Sequence, residues 1–325
     1  MPRGIPRLSQ LNVMRRTLTA GSEERKRNVS GITSSVRTPF EIAAGLRRVV
    51  APNPSAMTAQ GTNTYLLGTR DIAVIDPGPD DPAHLKAIMA ALPPRARVSH
   101  IFVTHAHLDH SGLAPALSRA TGAPVLAFGD ATAGRRVRPW VAAGTFSAEG
   151  LDRAFRPDEV IGDGAVIETG DWRLTALHTP GHLGGHLAFL WGEAAFSSDH
   201  AMGWATSLIA PPDGDMADYM ASLDRLAALR PARLYPGHGP EVPDAPARLA
   251  ELISHRRSRE AEILAALVQG PANAASLARA IYRETPATLL PAAARNVLAH
   301  LIDLTERNVV VANPPVDLST RFALR

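Results

Sequence analysis

The run Thr104-His105-Ala106-His107-Leu108-Asp109-His110 places four candidate metal ligands within six residues. It follows the apolar segment Ile101-Phe102-Val103, which reads as a buried strand running into a loop. A loop at a strand end can turn imidazoles and a carboxylate toward one point, as cation binding requires. Three further candidates lie downstream in similar settings. His182 sits in Thr179-Pro180-Gly181-His182, Asp199 closes Phe196-Ser197-Ser198-Asp199, and His238 sits in Pro236-Gly237-His238-Gly239-Pro240. Each follows an apolar run, and glycine and proline let the backbone turn sharply where the side chain must be presented.

The order of these motifs resembles that of metallo-beta-lactamase-fold hydrolases: His-x-His-x-Asp-His, then Thr-Pro-Gly-His, then Ser-Asp, then Pro-Gly-His-Gly-Pro. The resemblance covers roughly residues 47–260. Within that superfamily the chain most resembles the beta-lactamase-like protein 2 group, through Gln60-Gly61-Thr62-Asn63-Thr64-Tyr65, Asp218-Tyr219-Met220-Ala221-Ser222-Leu223 and His255-Arg256-Arg257-Ser258-Arg259-Glu260.

The resemblance implies an αββα sandwich and a site for two divalent metal ions. One ion would take His105, His107 and His182, and the other Asp109, His110 and His238. Asp199 would bridge them together with a water or hydroxide. Five imidazoles and two carboxylates without a thiolate suit Zn(II), with Mn(II) or Fe(II) as rivals. Such a pair can hold hydroxide at neutral pH and polarise a substrate oxygen, so hydrolysis is the expected chemistry, with Asp109 and Asp199 as the candidate catalytic carboxylates. Asp76 ends the run Ile72–Ile75, and the resemblance gives it the role of orienting metal histidines. His186 is the remaining candidate, either behind the ligands or on the substrate side. His178, His200 and His255 read as structural.

The elements around these loops alternate. Thr64–Leu67 and Ile72–Ile75 read as a hairpin-like pair. Asp81-Pro82 starts a helix, with Asp as cap and Pro in the first turn. Strands are expected over Val98–Val103, Trp172–Leu177, Leu187–Trp191, Ala194–Phe196 and Arg233–Tyr235. Helices are expected over Leu113–Ala120 and Met216–Leu229, the latter with the stripe Tyr219, Met220, Leu223, Leu226 and Ala227. The segment Arg135 to Ile161 reads as an insertion that could cover the cleft, with Trp140, Phe146 and Phe155 as apolar contacts and Arg135, Arg136 and Arg138 as anion contacts. Beyond residue 246 the pattern turns helical: Ala247–Val268, Ala274–Tyr282 and Pro291–Glu306, then a short strand Val309–Val311. This order resembles a small winged-helix-like domain. Three regions follow: a basic, mobile extension over 1–38, a catalytic domain over 39–246 and a C-terminal domain over 247–325.

Charge is uneven along the 325 residues. Residues 1–40 carry eight basic and two acidic side chains, residues 41–254 carry 17 and 23, and residues 255–325 carry nine and six. The catalytic body is thus mildly acidic before any cation binds. Cysteine is absent, which removes disulfides and thiolate ligands. No window approaches the ~20 apolar residues of a membrane span. No apolar stretch follows the basic start, so no signal peptide is expected and the cytoplasm is the default location.

The reading is therefore a dinuclear metal-dependent hydrolase acting on an ester, thioester or related small molecule. Endoribonucleolytic cleavage of single-stranded RNA is the alternative that the subgroup resemblance suggests. Beta-lactam hydrolysis fits poorly without an export signal. A non-catalytic binding or scaffold protein with a vestigial site is the non-enzyme rival. The C-terminal helices leave a homodimer open, and no membrane partner is expected.

Overall fold

The computed structural model describes residues 40–142 and 150–325. The basic extension at 1–38 and Phe146 of the insertion lie outside them. The described residues belong to one compact unit.

Two sheets stack face to face. The first has seven strands in sequential order: β1 (Phe40–Ala43), β2 (Leu46–Val50), β3 (Asn63–Leu67), β4 (Asp71–Ile75), β5 (Arg97–Phe102), β6 (Val125–Ala127) and β7 (Glu159–Val160). The second has five, in the order β12 (Arg233–Pro236), β11 (Ala194–Ser198), β10 (Leu187–Trp191), β9 (Arg173–His178) and β8 (Val166–Glu168). Strands β3 and β4 pair antiparallel, as expected, whereas β4–β5 and β11–β12 pair parallel.

Alternation along the strands explains the layers. Tyr65, Leu67, Ala73, Ile75 and Phe102 turn inward to meet Leu174, Phe189, Phe196 and Tyr235 of the second sheet. Their neighbours Leu66, Ile72, Val74 and Ile101 turn outward under helices α1 (Pro82–Ala90) and α3 (Ala114–Thr121), through Ile88 and Leu117. Asp81 caps α1 by accepting from the amides of Ala83 and His84. On the far side α4 (Met216–Ala228) covers the second sheet with Tyr219, Leu223 and Leu226. Both sheets are thus apolar on both faces and covered on both sides, the expected αββα arrangement.

A long helix, α5 (Ala245–Leu267), crosses the boundary expected at residue 246. Leu249 and Leu252 pack in the outer layer of the sandwich, while Ile263 and Leu267 belong to the C-terminal core. That core is completed by α6 (Ala274–Ile281), α7 (Leu290–Glu306) and a three-stranded sheet. The sheet has the order β13 (Ala272–Asn273), β15 (Arg321–Leu324), β14 (Val310–Ala312). Strands β1, β2, β6, β7, β8, β13 and β15 escape the sequence reading because they are short or irregular in pattern.

The arginines of the insertion are ion-paired rather than open to an anion. Arg138 joins Asp215 to Glu306, Arg136 lies within 3.5 Å of Asp215, Asp218 and Glu306, and Arg135 lies 3.3 Å from Asp213. Trp140 packs against the C-terminal core, and Phe155 is buried beneath the first sheet. The described part of this segment ties the sandwich to α7. No described helix is long and apolar enough to cross a membrane.

Candidate metal centre

Every candidate ligand follows the C-terminal end of a strand. Asp76 follows β4, and His105 to His110 follow β5 and lead into the one-turn helix α2 (Leu108–Ser111). His182 follows β9, Asp199 follows β11 and His238 follows β12. The two sheets meet here, because Thr62 bridges His238 and the Asn63 amide donates to Gly237 O. Two sets of parallel strand ends therefore aim their loops at one point.

Seven side chains converge there. His105 Nε2 lies 2.9 Å from His107 Nδ1, which lies 3.1 Å from His182 Nε2. His110 Nε2 lies 3.3 Å from His238 Nε2, and Asp109 Oδ2 lies 3.5 and 3.4 Å from these two nitrogens. Asp199 stands between the clusters, with Oδ2 3.6 Å from His182 Nε2 and Oδ1 3.3 and 3.5 Å from the nitrogens of His238 and His110. The donor sets are His105/His107/His182, Asp109/His110/His238, and His105/His110/Asp199 between them.

The outer nitrogens of four rings are engaged elsewhere, and this fixes which nitrogen faces the centre. His110 Nδ1 donates to Asp76 Oδ2 at 2.9 Å. His105 Nδ1 donates to Thr104 Oγ1, and that hydroxyl donates on to Asp76 Oδ2. His182 Nδ1 donates to Leu208 O at 2.6 Å, and His238 Nδ1 approaches Gly61 O at 3.4 Å. Asp76 sits at φ +52°, a left-handed conformation that aspartate tolerates better than most residues. It also accepts from the Thr104 amide and Ser198 Oγ.

Proton affinities follow the packing. Burial and the neighbouring imidazoles hold His105 well below the usual histidine range and bring His107 down to about 3. His182 is lowered by burial as well. Burial also opposes protonation of His110 and His238, but the carboxylates around them outweigh it and raise both. Burial would raise Asp199, yet His238 and His110 hold it well below the carboxylate range.

A cation fits this arrangement. Ring nitrogens whose lone pairs face one another at 2.9 to 3.3 Å repel unless a proton or an ion lies between them. Asp199 Oδ1 is buried without a hydrogen bond of ordinary length. Gly237 leaves the space open, since a Cβ there would stand 2.4 Å from Asp199 Oδ1 and 2.8 Å from His110 Cε1.

His186 takes neither cluster. It is fully buried, its Nδ1 is bonded to Thr179 Oγ1 at 2.8 Å, and its ring packs 5.1 Å from that of His105. Full burial removes it from the substrate side. Sequence reasoning misses Thr62, whose hydroxyl donates to Asp109 Oδ2 at 3.0 Å, and also Thr104, Ser207 and Leu208. A lone hydroxyl or a backbone carbonyl carries no spacing signal.

Fold and donor set together define a class, and the chain belongs to the metallo-beta-lactamase superfamily. Residues 57–238 match that superfamily, and residues 274–314 match the beta-lactamase associated winged helix domain. The chain is similar to the beta-lactamase-like protein 2 homologs of Drosophila melanogaster and Caenorhabditis elegans. The first is 32% identical over 85% of this chain and 93% of the relative; the second is 31% identical over 85% and 89%. It is also 32% identical, over 70% of its length and 66% of the relative, to an atrochrysone carboxyl ACP thioesterase of Paecilomyces divaricatus. Among solved structures, a metallo-beta-lactamase family protein from Thermus thermophilus superposes with a TM-score of 0.69 at 26% identity. That match covers 88% of this chain and all of the other.

Proposed function

We propose that the protein is a dinuclear metal-dependent hydrolase of an ester or thioester. The observation that carries this reading is the division of Asp199 between two donor clusters: one oxygen faces His182, the other His110 and His238. His105, His107 and His182 would hold one divalent ion, and Asp109, His110 and His238 the other. Zinc suits this nitrogen-rich set, with manganese and iron as rivals. A pair of such ions lowers the pKa of water toward neutrality and polarises a carbonyl oxygen.

The chain's own groups supply position and proton transfer. His238 and His110 keep Asp199 ionised, so that it would join the two ions and orient the water they supply. Asp109 is the more open carboxylate, with a side chain 28% exposed, and Thr62 donates to the Oδ2 that faces His110 and His238. It is placed to accept the water's proton and return it to the leaving oxygen or sulfur. Asp76 and Thr104 hold His110 and His105 in the tautomers that keep their inner nitrogens free.

Three exposed apolar residues support the substrate class. Leu108 lies between His107 and Asp109. The Trp204 ring lies against Gly239, beside His238. Met57 sits on the loop returning to Thr62. An acyl chain finds partners in apolar side chains of this kind. The thioesterase relative accords with this. The test is elemental analysis of the purified protein, then turnover of a thioester and ester panel beside labelled single-stranded RNA, with and without chelator. Near two ions per chain with chelator-sensitive acyl hydrolysis is expected. RNA cleavage alone would transfer the reading to a ribonuclease, and no ion with no turnover would leave a vestigial site.

A further inference from the structure

Residues 207–209 touch both the candidate metal centre and the C-terminal helices. On the inner side, Leu208 O accepts from His182 Nδ1 at 2.6 Å. The Ser207 hydroxyl donates toward the carbonyls of Asp199 and His200. On the outer side, Ser207 O accepts from Arg256 Nη2 on α5, and the Ile209 amide donates to Asn296 Oδ1 on α7 at 2.8 Å. Three consecutive residues thus hang between two helix side chains and two candidate ligands, His182 and Asp199.

Arg256 is an expensive way to make one hydrogen bond. The residue is 1% exposed, and among the described residues its Nε and Nη1 have no hydrogen-bond partner and no carboxylate pairs with it. Its guanidinium lies 5.2 Å from the Tyr219 ring centroid, and the Tyr219 hydroxyl donates in turn to His200 O at 3.1 Å. A buried cation with so few partners stabilises a fold less than an apolar side chain of similar size. What it does gain is direction, since its planar fork fixes Ser207 O at a set place.

The geometry points to Arg256 and Asn296 as positioning residues, through which α5 and α7 set His182 and Asp199 for the metal pair. The inference rests on the metal reading proposed above. The C-terminal helices then complete the centre from behind, and neither side chain touches substrate.

The test is cobalt titration of metal-free protein in competition with a chromophoric chelator, with the visible cobalt bands as a second readout. Arg256→Met and Asn296→Leu should bind cobalt about 10- to 100-fold more weakly, the usual range for outer partners of ligands, and should alter the bands. Asn296→Asp keeps the acceptor oxygen and should restore wild-type binding and spectrum. The unfolding midpoint of metal-free Arg256→Met should equal or exceed that of the wild type. Wild-type affinity and bands in folded Arg256→Met and Asn296→Leu, or failure of Arg256→Met to fold, would overturn the inference. Wild-type protein that binds no cobalt would instead overturn the metal reading itself.

Discussion

Asp76 Oδ2 lies 2.9 Å from His110 Nδ1, with both side chains buried. The carboxylate holds the proton on the outer nitrogen and leaves Nε2 free to face His238 and Asp109. Asp76→Asn keeps the shape but removes the charge that favours this tautomer. Metal affinity should fall roughly 10- to 100-fold while the fold persists. Competition with a calibrated chelator measures it, and wild-type affinity would show that the carboxylate does not tune His110.

His107 and Asp199 separate ligation from sharing. His107→Ala removes the nitrogen nearest both His105 and His182, so metal and hydrolysis should vanish together. Asp199→Asn should weaken retention of the pair far more than it lowers the unfolding midpoint. Turnover by His107→Ala at wild-type metal content would refute its assignment, and insolubility of Asp199→Asn would count against bridging.

Gly237→Ala is predicted to act sterically. The new methyl would stand 2.4 Å from Asp199 Oδ1, too close to be absorbed without moving that carboxylate or His110. Metal content after dialysis should drop severely, while circular dichroism of the metal-free protein changes little. Full metal occupancy would mean that the loop relaxes freely.

His300, on α7, offers a pH test remote from the ligands. It is buried without a hydrogen-bond partner for either ring nitrogen, and burial lowers its pKa to about 3. The unfolded chain takes up a proton below the ordinary value of 6.5, while the folded chain stays neutral. Stability is therefore intact above that value and lost as pH falls toward about 3. Between pH 7 and 5 this one group should cost about 2 kcal/mol. His300→Leu should remove that share of the acid sensitivity in urea titrations of metal-free protein. An unchanged difference between the two pH values would contradict the burial account.

The sequence by itself determined what depends on local order. Dense ligands after Ile101–Val103 and glycine-flanked histidines at 182 and 238 need only strand ends and turns to present them, and periodicity locates those strands. The alternation that builds two stacked sheets is equally local. Tertiary structure decided the rest, because it depends on residues far apart in the chain. Asp76 meets His110 across 34 positions, and Thr62 meets Asp109 across 47. His186 had the right type and spacing for the site, yet packing buries it behind His105. Arg135, Arg136 and Arg138 read as free cations until Asp213, Asp215 and Glu306 are brought beside them. Leu208 and Ser207 carry no chemical signal in the sequence, because a backbone carbonyl or a lone hydroxyl becomes a partner only when the fold sets it against a ligand.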